Sequence, residues 1–139
     1  MNYTDFIGAV AEKARIPSAE AESITRATLE TLTDRVTAGQ ADGLAEQLPR
    51  ELRQHLHKTT TGNDAQFAES FGLDQFIRRV TSRAGMNEAM ANDGTRAALA
   101  TIGETVSSEE LGRLLSQMPK EFQEIIRPRA GAQAPQSRG

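Results

Sequence analysis

The chain repeats itself. Residues 5–56 align with residues 75–126 at a fixed offset of 70, without a gap. Phe6-Ile7-x-x-Val10 returns as Phe76-Ile77-x-x-Val80, and Ala14 as Ala84. Thr25-Arg26-Ala27-x-Leu29-x-Thr31 returns as Thr95-Arg96-Ala97-x-Leu99-x-Thr101. Gln47-Leu48-Pro49-Arg50-Glu51-Leu52 returns as Gln117-Met118-Pro119-Lys120-Glu121-Phe122. About three positions in ten are identical, and a register held over such a span points to duplication of one structural unit. Whatever residues 1–57 fold into, residues 73–127 are expected to repeat.

Each unit reads as four helices. Phe6, Ile7, Val10 and Ala14 lie on one face of a helix from about Thr4, and Thr4 and Asp74 are N-cap residue types. A longer helix follows Pro17 in the first unit and Asn87 in the second, with Ile24, Leu29, Leu32 and Val36 matched by Leu99, Ile102 and Val106. A short third helix starts at a Ser107/Glu110 capping box, with Gly39 marking the break in the first unit. Pro49 and Pro119 suit the first position of a fourth, whose inner face is Leu52 and Leu56, or Phe122 and Ile126. No segment alternates at period two. The expected fold is all-α: two tandem four-helix units packed as one compact body. Residues 58–72 are expected to form a linker with a short helical turn, and 128–139 a disordered tail.

Chemistry is scarce. The chain has 139 residues, no cysteine, no phosphate-binding glycine loop and no Gly-x-Ser-x-Gly elbow. His55 and His57 stand two apart, on opposite sides of a helix, so they do not chelate one metal ion. Neither an enzyme nor a cofactor or metal site is expected. The start of the chain lacks the basic and apolar regions of a signal peptide, and no run is long enough to span a membrane, so a cytoplasmic protein is expected. Thirteen arginines against three lysines suggest a GC-rich bacterial genome.

The register Asp5-Phe6-Ile7, Thr25-Arg26-Ala27-x-Leu29 and Gln47-Leu48-Pro49-x-Glu51-Leu52, carried twice, resembles a bacterial family of uncharacterised proteins, domain of unknown function 2267. The resemblance spans about residues 2–127. It implies an all-helical fold, and no activity, cofactor or catalytic residue. The second unit departs from the family pattern at Gly94 and Gly103, where Ala and Leu are favoured, at an expected cost of about 1 kcal/mol each in helix propensity.

Three groups of residues are candidates for function. Arg78, Arg79 and Arg83 cluster on the first helix of the second unit, and Arg127, Arg129 and Arg138 follow in the tail. Residues 1–70 carry seven basic and eleven acidic residues, residues 71–139 nine and eight, so the arginines face either an external anion or the acidic first half. Phe67 and Phe71 in the connector either plug the seam between the units or dock a partner. Arg26 and Glu51, and equally Arg96 and Glu121, recur in both units and are expected to pair as structural locks. The expected role is a non-enzymatic module binding another protein or itself. The alternatives are an anion- or nucleic-acid-binding protein using Arg78, Arg79 and Arg83, and a carrier of small apolar ligands between the units, lined by Phe67, Phe71 and Phe76.

Overall fold

A computed structural model describes residues 2–56 and 71–126, and these contain helices and no strand. The tail, Phe67 and most of the expected linker lie outside the described residues.

Helix α1 (Tyr3–Ala14) begins at Asn2, whose Oδ1 accepts from the Asp5 amide at 2.8 Å. Thr4, the expected cap, therefore sits inside the first turn, because Asn2 already satisfies the open amide three residues on. Helix α5 (Leu73–Ala84) begins at Gly72, which has no side chain to cap with. Glu121 supplies the acceptor from elsewhere, its Oε2 lying 2.8 Å from the Leu73 amide nitrogen. Both helices bury the expected face: Phe6, Ile7, Val10 and Ala14 in α1, and Phe76, Ile77 and Val80 in α5. Both end in a left-handed residue, Arg15 at φ 59° and Gly85 at φ 67°.

Helices α2 (Ser18–Arg35) and α6 (Glu88–Thr105) are 18 residues each, about 27 Å long. They bury aliphatic and threonine side chains around much of their circumference: Ile24, Leu29, Leu32, Thr25, Thr28 and Thr31 in α2, and Leu99, Ile102, Thr95 and Thr101 in α6. Such a helix must be surrounded by others. Thr31 and Thr101 satisfy their hydroxyls on the carbonyls of Ala27 and Ala97, each at 2.8 Å.

The remaining helices are short. Helix α3 (Ala38–Gln47) is capped by Thr37, so the chain breaks before Gly39 rather than at it. Helix α4 (Arg50–Arg53) runs into a 3₁₀ turn at Gln54–Leu56, and Pro49 stands at its N-cap rather than inside it. Helix α7 (Ser108–Ser116) has the expected Ser107 cap, but Glu110 turns to Arg113 at 3.0 Å instead of closing the capping box. Helix α8 (Lys120–Ile126) follows, with Phe122 and Ile126 buried.

The packing crosses between the halves of the chain. α1 lies against α6, and α5 against α2, each more extensively than against the long helix that follows it in sequence. α2 and α6 cross at the centre; the 3₁₀ turn covers α2, α8 covers α6, and α3 meets α7. A single hydrophobic core joins all of them. The two glycines inside α6 explain themselves here. A Cβ on Gly94 would stand 2.6 Å from Ile24 Cγ1, and one on Gly103 would run into the carbonyl oxygen of Ile126. α6 is continuous through both, and the glycines serve close approach rather than flexibility. Among the described residues no helix is long and apolar enough to cross a membrane.

Candidate interaction face on α5

The outer surface of α5 carries Arg78, Arg79 and Arg83 over one turn and a half. Together with Gln75 and Ser82 they line a single open depression of about 290 Å³. The three do not share one environment. Arg79 and Arg83 lean toward α2, where both reach the same oxygen of Asp34, at 3.0 and 2.9 Å. Arg83 also donates to the Thr31 hydroxyl at 2.8 Å. These contacts are the pairing with the acidic first half that the sequence offered as the plain explanation of the cluster. Arg78 is different. It is exposed and makes no side-chain hydrogen bond or ion pair among the described residues. It also lines the adjoining recess with Asp74, Ile77 and Asn92.

Phe71, chosen separately, belongs to the same surface. The Arg79 guanidinium carbon lies 4.0 Å from its ring centroid and that of Arg35 5.3 Å. At these distances the ring quadrupole attracts both cations. The ring is half-buried and also packs against Phe76, which packs edge-on against Phe122. Phe71 thus seals the base of the arginine face. Arg35 itself is buried and donates to the Gln117 carbonyl at 2.6 Å, tying α2 to the end of α7. Burial pushes its guanidinium down from the usual value.

The expected locks do not form. Arg26 binds Glu30 at 3.5 Å and the Arg83 carbonyl at 3.4 Å, so it closes the end of α5 instead of reaching Glu51. Arg96 is exposed and bonds Asn92 Oδ1 at 3.2 Å. Glu121 is engaged with the Leu73 amide. Glu51 acts on Tyr3, whose phenol is pushed up by burial first, then by its 3.0 Å hydrogen bond to Glu22, with Glu51 adding to the same trend. Glu121 thus caps α5, whereas Glu51 makes no side-chain hydrogen bond or ion pair among the described residues. Helix dipoles and caps offer a carboxylate a partner as good as a guanidinium, and the cap is nearer.

Sequence reasoning passed over Asp34, although the signal was present. Lys13 and Arg83 are 70 apart, and so are Asp34 and Glu104. Lys13 binds Glu104 at 3.0 Å, so the two cross-helix ion pairs are related by the same sequence offset of 70. No such signal marked Arg35, because the corresponding residue is Thr105.

A comparison with curated proteins gives no match. The family model described as an uncharacterized conserved protein (DUF2267) matches residues 3–125, so the chain belongs to that family.

Proposed function

We propose that this chain is a non-enzymatic docking module that takes an acidic segment of a partner protein on the α5 face. One observation carries the reading: three arginines line one depression, and Arg78 among them is exposed and makes no side-chain hydrogen bond or ion pair among the described residues. Charge complementarity of this kind steers encounter and fixes the orientation of a partner. The packed Phe71 beneath Arg79 gives the face a rigid base.

The scaffold reading is a duplicated four-helix unit, residues 1–57 and 73–127. The helix bounds support it, since α1 and α5, and α2 and α6, begin and end 70 residues apart. So does the contact of Ile24 with Gly94, residues that are each other's equivalents. Two isoleucines would collide at that crossing and two glycines would leave a void. A large-small pair is how a duplicated helix fills a self-facing position once the copies diverge. A bacterial setting belongs to the same reading and rests on composition.

The test uses Arg78, which makes no side-chain hydrogen bond or ion pair among the described residues. An acidic peptide labelled for fluorescence anisotropy is titrated at low salt with the wild type and with Arg78→Glu. Binding that weakens steeply with salt and drops in the variant supports the docking face. Tighter binding to a single-stranded oligonucleotide of equal charge would move the assignment to nucleic acid. No binding to either at low salt overturns the reading.

A further inference from the structure

The C-terminal end of α1 and the middle of α6 enclose an open recess of about 440 Å³. Its floor is apolar: Ala14, Ala97 and Ala100. Its rim is charged: Lys13, Arg15, Arg96 and Asp93. Lys13 is neutralised by Glu104 at 3.0 Å. Arg15 makes no side-chain hydrogen bond or ion pair among the described residues, and Arg96 holds only the neutral Asn92. Among the described residues, two guanidiniums without a carboxylate partner therefore face one unpaired acid, Asp93.

The 70-residue correspondence supplies an internal control. The equivalent place between α5 and α2 carries Arg83, Ala84 and Gly85 on one side and Arg26, Ala27 and Glu30 on the other. There the arginine is consumed: Arg26 is held by Glu30 and by the carbonyl of Arg83. At the α1–α6 site Ala100 stands where Glu30 stands, so Arg96 is released and the recess opens. The turn differs as well. Gly85 adopts a left-handed conformation without strain, whereas Arg15 is the only non-glycine residue with positive φ among the described residues. An arginine is held there against its backbone preference, with its side chain on the recess.

We propose that this recess binds a small organic oxyanion, a carboxylate or phosphate head on a compact apolar body. Arg15 and Arg96 grip the head through charge-assisted hydrogen bonds, and the alanine floor receives the body. The carbonyl end of α1 and Asp93 oppose the anion. They favour a ligand of low charge, or one with a hydroxyl to donate to Asp93. The site is distinct from the α5 face and does not depend on the docking reading.

The experiment titrates ¹⁵N-labelled full-length protein with sodium benzoate and, separately, phenyl phosphate, following amide shifts by NMR. Saturable shifts confined to residues around Arg15 and Arg96 are expected, and the tighter probe identifies the head group. Ala100→Glu gives Arg96 the partner that Arg26 has and should weaken binding about tenfold or more while the melting temperature holds. Arg15→Gly should weaken binding while melting no lower than the wild type, a divergence that a structural role would not produce. No saturable shift with either probe overturns the proposal, as does binding unchanged in both variants.

Discussion

Residue by residue, the fold is most sensitive where backbones touch. Gly94→Ala would gain about 1 kcal/mol of helix propensity and yet set a methyl 2.6 Å from Ile24 Cγ1. The fully buried Ile24 has no room to yield, so a net loss of about 1–3 kcal/mol is expected by denaturant titration. Ile24→Ala should partly restore stability in the double variant, a coupling that a double-mutant cycle reads directly. Gly8 is the contrast. It lies exposed in α1 with nothing within 4 Å of an added Cβ, and Gly8→Ala should stabilise by about 0.5–1 kcal/mol. His55 offers a pH readout. Burial is the main influence and pushes its imidazole down; Glu30 Oε2, 4.0 Å from Nδ1, pulls it up, and Arg26 pushes it further down. The unfolded state therefore binds the proton more readily. This contribution is complete above an unfolded pKa of about 6.5 and is lost as pH falls below it. Melting temperatures at pH 7.5 and 5.5 should differ less in His55→Gln than in the wild type.

Among the elements, the pairing of α1 with α6 and of α5 with α2 is pinned by charge as well as by core. Asp34 is four-fifths shielded and receives two arginines, whereas the Lys13–Glu104 contact leaves about a quarter of each side chain exposed. Asp34→Ala should cost about 1–2 kcal/mol, because it removes the shielded carboxylate that Arg79 and Arg83 share. Glu104→Ala should cost under about 1 kcal/mol. Guanidinium-free chemical denaturation in urea at low and high salt measures both, and a larger effect for Glu104 than for Asp34 would contradict the ranking.

For the whole molecule, the crossed packing makes the halves depend on one another. The apolar face of α1 is covered chiefly by α6, and that of α5 by α2. A fragment of residues 1–57 would expose Phe6, Ile7 and Val10 without the helix that buries them. It should show little helix by circular dichroism on its own. Mixed with residues 71–139, it should regain helical signal and a cooperative melt. A fragment that melts cooperatively alone, as a monomer, would mean that each half carries a sufficient core.

Periodicity alone marked the helices and their inner faces, because burying one stripe of Phe, Ile, Leu and Val is a local property of spacing. It placed Phe6, Phe76, Leu52 and Phe122 in the core correctly. Caps were less legible: Asn2 displaced Thr4, and Glu121 caps α5 from 48 residues away in sequence. Which half each helix packs against was invisible, since an apolar stripe does not name its partner. The same gap explains the lost Arg26–Glu51 and Arg96–Glu121 pairs, which assumed that each half folds on itself. The crossing of α2 and α6 decides where those arginines stand, and it depends on whether Ile24 meets a glycine. Sequence determined the helices and the arginine cluster; only the tertiary structure brought Asp34 to two of those arginines and left Arg78 open.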